Sequence, residues 1–237
     1  MEVGLRTLLS ALLLLVVSVM PAAGQTNRTA GQRAIDDGNA LVAQGHYERA
    51  LKVYETVSSS SGELYGRALY NIGVCHYELW HTAEAIEFYR RAIQQREGRY
   101  PHASYALGVA LEDAGRTSEA VKAYKQVLAT TNDASGAANY RLGVIAAAAG
   151  DTVEAARLFR KALDHRGEHV PASHNNLGVM LARLHRLSEA EKEFTLALRS
   201  SNGSYSDAAY NLELCRQLMS AGTEAKAIAM RVTDGIN

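Results

Sequence analysis

Apolar positions recur at helical spacing through most of the chain. In one stretch Leu69, Ile72, Gly73 and His76 fall at i, i+3, i+4 and i+7, the spacing of a single helical face. A breaker pair follows in most such stretches, at Gln44-Gly45, Ala114-Gly115 and Ala149-Gly150. A second helical stretch then begins. Thr82, Thr117, Thr152 and Ser188 stand near its start with a carboxylate one or two residues on, and are expected to cap it. Pro101 and Pro171 stand where a first helix begins, a position that tolerates proline because its N–H is unpaired anyway. The pattern predicts an all-α chain of helix–turn–helix units.

The units repeat. Gly38, Gly73, Gly108, Gly143 and Gly178 are spaced by 35 residues, and the next step lands on Glu213. A second series, Ala50, Ala85, Ala120, Ala155, Ala190 and Ala225, keeps the same step. So does a third: Tyr54, Tyr89, Tyr124, Phe159 and Phe194, with Ala229 in the sixth unit. A mid-helix glycine costs about 1 kcal/mol relative to alanine. Periodic glycines therefore need a compensating contact, and the expected one is close approach of the paired helix with its large aromatic. One 35-residue unit cannot bury a core alone, so neighbours must stack. The sixth unit, lacking both glycine and aromatic, reads as the cap of the stack.

These positions resemble the tetratricopeptide repeat family, with Leu-Gly in the first helix and Ala, an aromatic and Ala in the second. Ile72-Gly73, Leu107-Gly108, Leu142-Gly143 and Leu177-Gly178 supply the first pair, and Ala92, Ala162 and Ala197 the final alanine. Val57 and Val127 replace that alanine elsewhere. The period is one residue longer than the family's, and the family's turn proline is missing, so the extra residue is expected between repeats. The resemblance implies a right-handed α–α solenoid of five repeats plus a degenerate C-terminal unit. The repeat domain spans 31–232, with units starting near 31, 66, 101, 136, 171 and 206 and a tail at 233–237.

The resemblance also implies a binding groove lined by the first helices. Its fifth register position reads Ile35, Tyr70, Tyr105, Tyr140, Asn175 and Tyr210. The sixth reads Asp36, Asn71, Ala106, Arg141, Asn176 and Asn211, and the ninth Asn39, Val74, Val109, Val144, Val179 and Leu214. The candidate groove is accordingly Tyr70, Asn71, Val74, Tyr105, Val109, Tyr140, Arg141, Val144, Asn176, Val179, Tyr210 and Asn211. Tyrosine gives broad contact area with a polar tip, and an asparagine amide pairs with both N–H and C=O of an extended peptide. The tyrosine row is expected to contribute little to the stack. The alternative is that these tyrosines pack along their own helices. The family's carboxylate clamp is not supported, because Ile35, His102 and Ala106 stand where its lysine and basic residues would be.

Charge and composition narrow the function. Lys+Arg and Asp+Glu both number 25, and no basic run supplies the footprint that nucleic acid demands. Arg6 precedes an apolar run from Leu8 to Met20, followed by Pro21 and Ala22-Ala23-Gly24. Thirteen residues rise about 20 Å as a helix, short of a hydrocarbon core of about 30 Å. The segment 1–24 therefore reads as a signal peptide, with Gln25 as the mature N-terminus, a linker at 25–30 and no span after cleavage. An uncleaved anchor is the alternative, since Glu2 offsets Arg6.

Candidate chemistry is sparse. Cys75 and Cys215 share a register position filled elsewhere by Ala40, Ala110, Ile145 and Met180, so they read as core residues too far apart to pair. His165, His169 and His174 invite a metal site, but Gly167 and Pro171 break the helix it would need, so a turn with solvated histidines is expected. No phosphate-cradling loop or nucleophile elbow appears, so no catalytic residue, metal or cofactor is assigned. The leading function is a non-catalytic protein-interaction scaffold in the periplasm or secreted, holding an extended peptide or helix. The alternatives are a self-assembling structural module and a targeting subunit of an envelope complex.

Overall fold

The computed structural model describes residues 29–131, 135–165, 167, 169–221 and 230–232. The signal segment, Gln25, Ala225, Ala229 and the 233–237 tail lie outside the described residues. Every described element is helical, and the chain divides into two compact units, one ending at Thr130 and the other beginning at Thr131. The first unit holds α1 (Ala30–Ala43), α2 (Tyr47–Tyr54), α3 (Glu63–Glu78), α4 (Thr82–Gln95), α5 (Pro101–Asp113) and α6 (Thr117–Thr130). The second holds α7 (Ser135–Ala148), α8 (Thr152–Ala162), α9 (Val170–Arg183), α10 (Leu187–Ser200) and α11 (Ser206–Ala221). Within each unit consecutive helices pack as antiparallel neighbours, first helix on second and second on the next first.

The glycine series explains how each pair closes. The second-helix aromatic packs directly against the first-helix glycine, so a Cβ added at Gly73 would sit 2.7 Å from the Tyr89 ring. At Gly108 the distance to Tyr124 would be 2.5 Å, at Gly143 to Phe159 2.8 Å, and at Gly178 to Phe194 2.6 Å. Gly38 meets the Tyr54 ring in the same way. Real carbon contacts lie near 3.5–4.0 Å, so no side chain larger than hydrogen fits these positions. All five rings are completely buried.

The ring hydroxyl follows the chemistry of the first helix. Tyr54 Oη donates to Asn39 Oδ1 at 2.7 Å, and Tyr124 Oη donates to Glu112 Oε1 at 2.5 Å. Where valine and alanine occupy those first-helix positions, at Val144 and Ala147 or Val179 and Ala182, the ring is Phe159 or Phe194 and carries no hydroxyl. A buried polar group without a partner is costly, so the unit lacking an acceptor does without the donor. Tyr89 departs from this rule, because its buried hydroxyl has no hydrogen-bond partner.

The turn inside each pair is constant. Three residues separate α1 from α2, α3 from α4, α5 from α6, α7 from α8 and α9 from α10. The middle residue is Gly45, Trp80, Gly115, Gly150 or His185, with φ between 61° and 82°. The following N–H reaches back to a carbonyl in the last turn, as His46 to Leu41 at 2.9 Å and Arg116 to Leu111 at 2.8 Å, a left-handed helix stop. Connections between pairs vary in length, the longest carrying a short 3-10 turn at Ser59–Ser61.

The expected hydroxyl caps are corrected. Thr82, Thr117 and Thr152 are the first helical residues, and Ser188 lies one further in. The preceding residue takes the cap position instead. Asp151 accepts from the Glu154 N–H at 3.0 Å, whereas Arg186 makes no side-chain cap and pairs with Glu189 at 2.7 Å. Arg116 pairs with Glu119 in the same way at 2.7 Å. α11 replaces the glycine with an exposed Glu213 and buries Ala208, Leu212, Cys215 and Leu218.

Gly108→Ala should test the packing. Helix propensity alone favours alanine by about 1 kcal/mol, but the Tyr124 ring has to move, and overpacking costs about 1–3 kcal/mol. The expected result is a net loss of stability in urea unfolding. A gain would mean that the ring position is soft.

Candidate functional site

The first helices carry the candidate residues, and burial sorts them. The fifth-position tyrosines lean on the aromatic series: Tyr70 on Tyr89 at 5.9 Å, Tyr105 on Tyr124 at 5.5 Å and Tyr140 on Phe159 at 5.8 Å, all with tilted rings. Tyr70 is 9% exposed and Tyr140 only 3%, while Tyr105 is half-buried. The expectation that this row contributes little to the stack is therefore corrected: its rings extend the core from the glycine–aromatic contact outward. Val74, Val109 and Val179 are buried beside them, and Val144 is half-buried. Asn71 and Arg141 are buried as well, with the Asn71 amide donating to Asn39 Oδ1 at 3.0 Å. Tyr210, at 43%, is the most exposed of the candidates.

In the second unit the asparagines form a connected network. Asn176 Nδ2 donates to Tyr140 Oη at 3.4 Å, and Asn175 Nδ2 donates to Asn176 Oδ1 at 3.1 Å. Asn211 Nδ2 donates to Asn175 Oδ1 at 2.9 Å. All three asparagines are 0% exposed. The network ends on a main chain. The Arg231 N–H donates to Asn211 Oδ1 at 2.9 Å, and its carbonyl accepts from Asn211 Nδ2 at 2.8 Å and Asn175 Nδ2 at 3.1 Å. The Arg231 guanidinium lies 4.4 Å from the Tyr210 ring centroid and 3.6 Å from Asp207.

Asn176, Tyr210 and Asn211 stand among the sequence candidates, Asn175 was placed in the groove register but left out of them, and Asp207 and the 230–232 segment were missed. One signal for Asn175 was present: it breaks a row that is otherwise tyrosine or isoleucine. The repeat register carries 230–232 into the second half of the sixth unit, where a helix would be expected, but these residues are not helical, so nothing local marked their extended path.

The titratable groups are those of a packed interior. Burial pushes the Cys75 thiol up to about 12, with Glu78 and Glu48 adding to the rise. Burial also raises Cys215, whose thiol donates to the Leu187 carbonyl at 3.4 Å. Both cysteines are free and buried. Burial holds His76 below the usual histidine range, where it stacks on Phe88 at 5.2 Å. The expected solvated histidines are corrected too. His165 Nε2 and Ser135 Oγ lie 2.6 Å apart, His169 Nε2 lies 3.1 Å from the Ala162 carbonyl, and His174 pairs with Glu193 at 2.7 Å. Each is tied to a different partner. Among the described residues no three His, Cys, Asp or Glu side chains are placed to hold a metal ion, and no helix is long and apolar enough to cross a membrane.

The tetratricopeptide repeat profile matches residues 35–104, 105–171 and 154–209. The chain belongs to the tetratricopeptide repeat family. No curated protein matches it. Solved structures share the fold. MamA from Desulfovibrio magneticus RS-1 is 20% identical over 76% of this chain and 100% of its own, with a TM-score of 0.60. A tetratricopeptide repeat protein from Parabacteroides merdae is 16% identical over 84% of this chain and 77% of its own, at 0.63. YrrB, titled a tetratricopeptide protein with an unusual peptide-binding site, is 20% identical over 79% of this chain and 90% of its own, at 0.56.

Burial ranks the tyrosines of this tetratricopeptide array. Tyr140→Ala should cost about 3–5 kcal/mol, as for a core aromatic. Tyr105→Ala, removing a half-buried ring, should cost about 1–2 kcal/mol. Urea unfolding of the two variants checks the order, and equal small losses would return the whole row to the surface.

Proposed function

We propose that this tetratricopeptide array is a non-catalytic protein-interaction scaffold working outside the cytoplasm, holding an extended peptide on its first-helix face. One observation carries the reading: buried amides on that face already hold the main chain of Arg231 at both its N–H and its C=O. Main-chain pairing supplies affinity without regard to sequence, and neighbouring side-chain contacts supply choice. Tyr210, Tyr105 and Val144 provide the accessible aromatic and apolar surface beside the amides in their respective units. The tetratricopeptide fold is generally a scaffold, and no assigned residue has a chemical role. Export rests on the apolar run Leu8 to Met20 and the small residues before Gln25.

A photo-crosslinking residue placed at Tyr210 should capture a partner protein, whereas the same residue at Val153, exposed on the second helix α8, should not. Capture from Val153 alone would move the binding face to the second helices. A product of twice the chain's mass would identify the partner as a second copy.

Export has its own measurement. The mature protein should have the intact mass of a chain beginning at or near Gln25, and a full-length product that needs detergent would establish an uncleaved anchor.

A further inference from the structure

Residues 230–232 lie on the second unit as an extended peptide would. Met230 is buried and joins the apolar cluster, Val232 is partly buried against the same cluster, and Arg231 between them points outward. Alternation of this kind is that of a β-strand, in which residues i and i+2 share a face. The partner strand is replaced by side-chain amides. Asn211 holds both main-chain groups of Arg231, and Asn175 reinforces the carbonyl. The outward guanidinium rests on the Tyr210 ring and faces the Asp207 carboxylate.

A segment serving only to cover α11 would need apolar contact and nothing more. Three fully buried asparagines are an expensive way to obtain it, because each amide must be satisfied. Amides aimed at main-chain N–H and C=O instead make a reader of extended backbone. The side chains around it then define what is accepted: an aliphatic residue buried, a basic residue over Tyr210 and Asp207, and a second aliphatic residue. We propose that Asn175 and Asn211 form a peptide site for extended aliphatic–basic–aliphatic segments, and that Met230-Arg231-Val232 is its resident, competing occupant. The proposal rests on the first-helix face being the binding face and adds the ligand class and its built-in competitor.

The probe is a fluorescein-labelled peptide of residues 228–235, Ile-Ala-Met-Arg-Val-Thr-Asp-Gly, titrated by anisotropy into the full chain. Met230→Asp with Val232→Asp ejects the resident segment and should tighten peptide binding at least tenfold over the unsubstituted chain. N-methylation of the peptide's arginine nitrogen removes the N–H given to Asn211 and should weaken binding to the ejected variant at least tenfold. Replacing the peptide's arginine by glutamate should weaken it similarly. No gain on ejection, or equal binding of the N-methylated peptide, overturns the proposal. If the ejected variant fails to fold by circular dichroism, hydrogen exchange of the unsubstituted chain decides. Millimolar peptide should then speed exchange at the Arg231 amide, and unchanged exchange overturns the proposal. Continued capture from Tyr210 alongside a negative peptide result would leave the binding face intact and remove only the resident-occupant assignment.

Discussion

An aromatic ring lying on a helical glycine sets the spacing of every helix pair. With hydrogen in place of a side chain, the first helix lets the ring approach its backbone, and the ring covers what the missing side chain would have covered. Five such contacts recur with Tyr54, Tyr89, Tyr124, Phe159 and Phe194. They fix which face of each helix turns inward, and so which residues are left for the opposite face. The left-handed three-residue turn follows from the same constraint, since two helices held this close leave room for a tight reversal and little else.

That contact is why so much of the fold was legible. A glycine and an aromatic sixteen residues apart, repeated at a fixed period, have no explanation in local helix preference and a simple one in packing. The caps were less legible. Threonine near a helix start is a good local signal, yet the three-residue turn puts the cap position one residue before Thr82 and Thr152, on His81 and Asp151. Placement of the candidate residues on first helices was legible, and their exposure was misjudged. Register assigns Tyr70 and Tyr140 to the first-helix face, but register does not say how deep the neighbouring rings sit. Their contacts with Tyr89 and Phe159 bury them. Contacts of segment 230–232 cross about twenty residues or more, from Asn211 and Asn175 to Arg231, and no periodicity encodes them.

On the proposed binding face, packing and recognition would share residues. Tyr140 closes the core against Phe159 and also accepts from Asn176, the first member of the amide network. Losing the ring would remove core volume and an acceptor together. Coupling of this sort makes affinity and stability move in parallel for the deep members of the face. Tyr210, resting on α11 with its ring open to solvent beneath the Arg231 guanidinium, is less entangled. Binding energy that varies independently of stability has to come from such positions.

Three polar links along the first helices share a spacing that the Asn71–Asn39 link, across 32 residues, does not. Tyr77 donates to Asp113, Asn176 to Tyr140 and Asn211 to Asn175, each across 36 residues. The offset is one residue more than the repeat, so each link joins neighbouring first helices with a one-residue stagger. It lets a fifth-position residue of one unit meet a sixth-position residue of the next. Asn175 and Asn211 stand in that relation, which is why two amides from different helices reach one carbonyl. In a chain with strict 35-residue steps, the stagger would recur wherever polar residues occupied those two positions. Only the α9–α11 step has amides at both, and the extended segment lies there.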